Sequence, residues 1–298
     1  YPTKDLVTAP EIMFFWVARM IMAGYAFADE KPFSNVYYHG IVRDDQRRKM
    51  SKSLGNSPDP IELIEKYGAD GTRTGMLFSA PAGNDLLFDE NLCEQGRNFS
   101  NKIWNAFRFL TMNMDEGVSY TPAAKIDPDN IADKWIMGRI QATLKGMGDD
   151  FSDYRLNEAL KKIYSLVWDD FCDWYIEVCK SDRYGENMPK ERLERALGFF
   201  EILMKMLYPF MPFITEEIWQ RISPRRSDQA LTISPWPELP KGDFSGSVDL
   251  FSTIQEQISA VRNIQAEMNL APKTELELII KPKNASMGKG IEAASWVY

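Results

Sequence analysis

Apolar positions along this chain change their spacing about a third of the way in. Before residue 90 they come in short bursts. The run D-L-V-T (Asp5 to Thr8) predicts a short buried strand, and Glu11 to Gly24 a helix closed by its C-terminal glycine. The β-branched and aromatic stretch Asn35 to Val42 predicts another strand. Arg43 to Asn56 is too charged to be core. A helix follows over Pro60 to Tyr67, with Asp59 placed to cap it and Gly68 to end it. Strand, helix, strand, basic loop and helix is an α/β order.

From about Glu90 the period becomes helical. Phe99, Ile103, Ala106, Phe107 and Leu110 share one face of a first helix, with Asn98, Asn101, Lys102, Asn105, Arg108 and Phe109 beside and opposite them. Further helices are predicted over Asp133 to Phe151, Leu156 to Ser181, Lys190 to Tyr208 and Phe213 to Ile222, with Gly-, Pro- and Asp-punctuated loops at Gly117 to Asp129 and Tyr184 to Pro189. The aromatic run Trp168, Phe171, Trp174 and Tyr175 reads as core, and Tyr208 to Trp219 as a structural turn and cap between helices. This second part is an all-α bundle. Beyond Ser223 the chain loosens, then gives a helix over Val248 to Met268, a strand over Leu276 to Ile280 and, from Gly288 to Tyr298, the start of an element cut short.

Composition narrows the class. Of 298 residues 44% are hydrophobic and 26% charged, which excludes a disordered or collagen-like chain. The longest apolar runs, near Ile12 to Ala18 and Ile202 to Phe213, fall short of the ~20 residues a membrane span needs, so no bilayer-crossing segment is expected. Three cysteines without a C-x-x-C pair argue against a disulfide framework or a structural zinc, and for a reducing compartment. The single histidine, His39, removes mechanisms that need two imidazoles. A net charge of -8 does not exclude nucleic acid, because binding depends on local basic patches.

The chemistry concentrates in R-D-D-Q-R-R-K-M-S-K-S-L-G-N-S-P-D-P, residues 43 to 60. Arg47, Arg48, Lys49 and Lys52 alternate with Ser51, Ser53 and Gly55, a mixture that suits polyphosphate and equally a solvated basic loop. Lys49 to Ser53, K-M-S-K-S, resembles the signature of the class I aminoacyl-tRNA synthetase family. Val7 to Met22 (V-T-A-P-E-I-M-F-F-W-V-A-R-M-I-M), Ser79 to Glu90, Gly96 to Ala106 and Pro209 to Trp219 are similar to its valyl branch, and the likeness fades beyond about Ser223.

That resemblance implies a partial Rossmann-like catalytic domain and stem-contact region over 1-90, a helical anticodon-binding domain over 91-225, and a linker with a truncated C-terminal element over 226-298. It implies ATP with Mg²⁺ as cofactors, and L-valine and tRNA(Val) as partners of a cytoplasmic monomer. Lys49 and Lys52 would hold the triphosphate as catalytic groups, while Ser51, Ser53 and Asn56 shape a mobile loop. His39 and Gly40 would lie near the adenine, with an ordinary strand role equally open for His39. Glu11, Ile12 and Trp16 would form the valine pocket, Ile12 and Trp16 standing one helical turn apart. Arg97, Lys102, Asn105, Arg108 and Phe109 would meet tRNA.

Three residues depart from the family pattern. Ala9 replaces a usual glycine, Glu11 a usual aspartate, and Arg47 the turn glycine of D-x-x-G-x-K-M-S-K-S. No H-x-G-H motif is present, so the expectation is half an active site. The chain is expected to be the C-terminal portion of a longer product, inactive alone, with the editing and N-terminal catalytic portions elsewhere in the same polypeptide. An isoleucyl-type synthetase and a stand-alone tRNA-binding or regulatory protein remain as alternatives.

Overall fold

A computed structural model describes residues 1–298 except 81–82, 116–117, 181–187, 227, 272–273, 275, 283 and 298, and the side chain of 286. Parts of the loops expected at Gly117 to Asp129 and Tyr184 to Pro189, the end of the helix expected to reach Ser181, and Tyr298 therefore lie outside the described residues.

The α/β part opens with β1 (Thr3–Thr8), paired in parallel with β2 (Phe33–Tyr38) so that Thr3 faces Phe33 and Thr8 faces Tyr38. Between them runs one continuous helical segment, Pro10–Ala28, whose regular centre is α1 (Ala18–Ala23), flanked by wider π-helical turns at Met13–Val17 and Gly24–Ala28. Gly24 does not end this helix. A Cβ there would meet Glu30 O at 2.7 Å and Pro32 Cδ at 2.9 Å, so the glycine admits the returning chain, and the stop is Asp29 in the left-handed region at φ 50°.

Because the helix continues past Gly24, it runs for nineteen residues and an 18-residue stretch within it reaches a mean hydropathy of 1.3, long and apolar enough by composition to cross a membrane. The segment is thus longer than the unbroken apolar runs of the sequence suggest. The strand expected to be buried is also mostly exposed, with only Thr8 of β1 buried. The strand expected over Asn35 to Val42 is two, β2 and β3 (Val42–Arg43), interrupted after Tyr38. Parallel to β3 lies β4 (Leu86–Leu87).

Two short helices lead out of the α/β part, α2 (Pro60–Tyr67) and α3 (Ala69–Phe78). Asp59 caps α2 by accepting from Ile61 N at 2.8 Å, and Gly68 follows its last residue, as the sequence predicts. The bundle comprises α4 (Glu90–Met112), α5 (Ile131–Ser152), α6 (Leu156–Ser165), α7 (Ile176–Cys179), α8 (Lys190–Leu207) and α9 (Pro212–Ile222). A π-helical stretch, Leu166–Tyr175, joins α6 to α7 and carries the aromatic run. Phe171 and Tyr175 are fully buried, and Trp168 and Trp174 pack against the same core. All five residues expected on the inner face of α4 are buried. The three cysteines are free and buried.

Beyond the bundle, α10 (Ser245–Glu267) lays Phe251 on Trp135, ring centroids 4.2 Å apart. Residues 276–280 form no strand. Their alternating pattern needs a hydrogen-bonding neighbour and a core face, and Leu276, Leu278 and Ile279 stand exposed. The C-terminal residues form α11 (Ala285–Ala293) and a 3₁₀ turn, Ser295–Val297.

Helix α3 ties the two parts together. Asp70 accepts from Ile214 N at 2.7 Å and Phe213 N at 3.3 Å, capping α9 through a carboxylate whose pKa burial raises. Asn157 at the start of α6 donates to Phe78 O (2.7 Å) and Leu77 O (3.0 Å), closing the other end of α3. Tyr154, between α5 and α6, donates to Asp5 Oδ1 at 2.5 Å and stacks on Tyr37.

Candidate functional site

Parallel strands leave a crevice beyond their carboxyl ends, the usual ligand position in open α/β sheets. Here β1 ends at Thr8 and β2 at Tyr38, and His39 N donates to Thr8 O at 3.0 Å, so Ala9, Glu11 and His39 collect at one end of the pair. Ala9 has φ -80° and ψ 144°, extended backbone that any residue adopts, and its departure from glycine carries no strain. His39 is exposed, with Nδ1 2.8 Å from Gly40 O.

Lys49 reaches this end from the basic loop. Its Nζ lies 2.5 Å from Glu11 Oε2, with both side chains about half exposed. The preceding turn, residues 44–48, is closed by Asp44 N donating to Arg48 O and Arg47 N donating to Asp44 O, each at 2.9 Å. Arg47 sits at φ 63°, the left-handed region that favours the glycine it replaces. That substitution costs about 1–2 kcal/mol.

Past the turn, Met50 N returns to Val42 O at 3.1 Å, and Ser51 Oγ caps a 3₁₀ turn, Lys52–Leu54, by accepting from Leu54 N at 3.3 Å. Ser53 Oγ lies 3.1 Å from Ser51 Oγ. Lys52 is exposed and makes no ion pair among the described residues. Asn56 folds back beneath the loop, its Oδ1 accepting from Ser51 N at 2.9 Å. Sequence reasoning missed Asp44, the buried carboxylate to which Asn56 Nδ2 donates at 2.9 Å. The first D of D-x-x-G-x-K-M-S-K-S was the signal for it.

A cleft of about 490 Å³ lies beside the loop, lined by His39, Gly40, Met50, Thr72, Met76 and Phe88 among others. Gly40 has a structural reason to be glycine, since a Cβ would fall 1.7 Å from Asn84 O. Asp85 accepts from Ile41 N at 3.0 Å and from Arg43 Nε, and these two donors, the amide foremost, hold its carboxyl below the ordinary range. His39, Gly40 and the lysine loop thus share one region of the surface.

Ile12 and Trp16 stand on an open apolar face. Ile12 is 37% and Trp16 58% exposed, on a helix that also leaves Phe14, Phe15, Met22, Tyr25 and Phe27 in the open. The five bundle residues expected to meet RNA fall into two groups. Asn105 and Arg108 are exposed. Arg97 pairs with Glu94 at 2.9 Å, Lys102 pairs with Asp173 above the Trp168 ring, and Phe109 packs on the core beneath Lys180 Nζ at 5.5 Å.

Comparison with known proteins agrees with both halves of this description. Residues 1–89 match the family model "tRNA synthetases class I (I, L, M and V)", and 133–280 match "Anticodon-binding domain of tRNA ligase". The chain is 50% identical over 288 residues to a valine--tRNA ligase of Christiangramia forsetii, covering 96% of this chain and 32% of that protein. It is 42% identical to the valine--tRNA ligase of Bacillus licheniformis over 98% of this chain and 33% of that protein. It thus spans about a third of the length of the curated relatives it matches. A ternary complex of Agrobacterium radiobacter K84 LeuRS, tRNA and LeuAMS shares its fold at TM-score 0.63 and 22% identity, over 83% of this chain and 29% of that one. Mycobacterium tuberculosis methionyl-tRNA synthetase in complex with methionyl-adenylate does so at TM-score 0.59 and 20% identity, over 82% and 50%. With a helical bundle behind the α/β part and valine--tRNA ligases at half identity along nearly its whole length, the chain belongs to the class I aminoacyl-tRNA synthetases, in their valine--tRNA ligase branch.

Proposed function

We propose that this chain is the C-terminal catalytic and anticodon-binding segment of a valine--tRNA ligase, the enzyme that activates valine with ATP to valyl-adenylate and transfers it to tRNA(Val). The supporting observation is the placement of Lys49 beside Glu11 at the carboxyl ends of β1 and β2, in a chain half identical to such ligases.

In this reading residues 1-90 are part of a Rossmann-like domain with its K-M-S-K-S loop, 91-225 the anticodon-binding domain, and 226-298 a linker and C-terminal element. ATP displaces Glu11 from Lys49, and the two ammonium groups of Lys49 and Lys52 take the triphosphate. As the valine carboxylate attacks the α-phosphorus, charge moves onto the departing pyrophosphate, and Lys52, with no ion-pair partner among the described residues, neutralises it. Ser51 and Ser53 hold the turn that carries Lys52, Asn56 ties it from below, and His39 and Gly40 flank the adenine. Closure of the loop gates the step. Glu11, Ile12 and Trp16 contribute one side of the valine site. The open apolar face of Pro10–Ala28 packs against the N-terminal catalytic portion of the same polypeptide, which supplies the opposite side and the H-x-G-H motif.

Mg²⁺ would accompany ATP and neutralise phosphate charge. Glu11 and Asp44, the carboxylates bonded into this site, already face cations, so no residue of this chain is assigned as its ligand and no step runs through it. Arg97, Lys102, Asn105, Arg108 and Phe109 offer charge, amides and an aromatic ring to tRNA(Val). The ligase works as a cytoplasmic monomer.

A chimera tests the reading. Residues 1–298 are exchanged for the matching third of the Bacillus licheniformis ligase, and tRNA(Val) is charged with each amino acid. Valine charging without isoleucine charging is expected, and a folded chimera that charges neither, or prefers isoleucine, contradicts it.

A further inference from the structure

The lysine loop is fastened by a side chain outside the pentapeptide. Asp44, directly after β3, is 6% exposed while the five residues that follow it are all exposed. Its Oδ1 accepts the backbone N–H groups of Arg48 (2.8 Å) and Gln46 (3.1 Å), and its Oδ2 accepts from Arg48 Nε (2.8 Å) and Asn56 Nδ2 (2.9 Å). Asn56 completes the tie, with Oδ1 on Ser51 N at 2.9 Å and Nδ2 also facing Lys49 O at 3.4 Å. One residue before the pentapeptide and one after it are therefore joined side chain to side chain, and the second holds the backbone of two pentapeptide members.

Burying a carboxylate is unfavourable unless donors replace its water. Here the donors come from the turn itself, and the two amides belong to the residues flanking Arg47, whose left-handed backbone resists the turn. Asn56 foremost, then Arg48, keep the Asp44 carboxyl down at about 2, so it is charged at every pH where the protein works. All these bonds are intramolecular, which separates Asp44 from Lys52, exposed and without an ion pair among the described residues.

We propose that Asp44 is a positioning residue for the adenylation step: through Asn56 it fixes where Lys49 to Ser53 stand over the ends of β1 and β2, and so where the ammonium groups meet the triphosphate. The inference rests on the phosphate role given to Lys49 and Lys52 above.

The test uses full-length ligase containing this chain and valine-dependent exchange of pyrophosphate into ATP. Asp44→Asn is expected to lower kcat/KM for ATP about tenfold, the order of one hydrogen bond to a charged group, with KM for valine within twofold. Asn56→Ala, which removes only the tie, is expected to do the same, and the double variant to be no worse than either single one. Equal losses toward ATP and valine, multiplying losses in the double variant, or an unchanged ATP dependence in Asn56→Ala would overturn the proposal. Lys52→Ala, run alongside, separates the two claims. If it leaves exchange intact the phosphate role itself fails, whereas if it abolishes exchange while both tie variants remain normal, only the positioning role fails.

Discussion

Lys49 Nζ meets Glu11 Oε2 at 2.5 Å across 38 residues of sequence, fastening the basic loop to the first turn after β1. Both side chains are about half exposed, and such a pair contributes about 0.2–1 kcal/mol. Nucleotide binding can therefore displace Glu11 at small cost. In the full-length ligase, Glu11→Gln should lower KM for ATP by up to about fivefold, the equivalent of 1 kcal/mol. Steady-state exchange kinetics with ATP varied check this, and a KM for ATP that rises severalfold would place Glu11 on the nucleotide rather than on Lys49.

Asp44 sets an acid limit for the loop. Its folded pKa, about 2, lies below the ordinary carboxylate value of 3.8, so the unfolded chain takes up a proton first as pH falls. The contribution of this carboxylate is complete above the ordinary value and is lost as pH drops through about 2. The carboxyl carbon of Asp44, followed by NMR, should titrate near pH 2, with the Gln46 and Arg48 amide shifts moving in step. A midpoint near 4 would mean that the carboxylate is not held by those donors.

If the bundle meets tRNA as proposed, ion-pair partners decide which of its cations are available to it. Lys102 is held by Asp173 and lies over Trp168, whereas Arg108 is exposed with no ion pair among the described residues. Arg108→Glu should weaken tRNA(Val) binding more than Lys102→Glu and flatten the dependence of log Kd on log salt, each lost phosphate contact removing about 0.7–0.9 from the slope. Filter binding across a salt series measures both quantities, and equal effects of the two variants would contradict the order.

Local signals explain what the sequence made legible. Asp59 with Pro60, and Gly68 eight residues on, bracket α2 in the sequence as they do in space. The face Phe99, Ile103, Ala106, Phe107 and Leu110 is legible because a single helix supplies the whole 3.6-residue period. Helix α3 has no such stripe. Its buried positions include Asp70, Gly71, Thr74 and Gly75, residues chosen for capping α9 and for close packing rather than for apolarity. Gly24 carries the same letter as a helix stop but serves the close approach of Glu30 and Pro32.

The lysine loop was legible as charge, and its attachment was not. Lys49 reaches Glu11 only because β1 and β2 pair in parallel and bring residues 8 to 11 beside residue 39, a relation that no spacing along the chain encodes. The tie from Asp44 to Asn56 likewise depends on Arg47 accepting a left-handed turn that its side chain disfavours.

The central claim is that the lysine loop neutralises the nucleotide's phosphates while valine is activated. Its most direct test is valine-dependent exchange of pyrophosphate into ATP by full-length ligase carrying Lys52→Ala, measured beside the dissociation constant for valine. A fall in exchange of about 10²–10³-fold is expected, the usual loss for removing one donor aimed at developing charge, with valine binding unchanged. Exchange within twofold of the unsubstituted enzyme, or a loss confined to valine affinity, would contradict it.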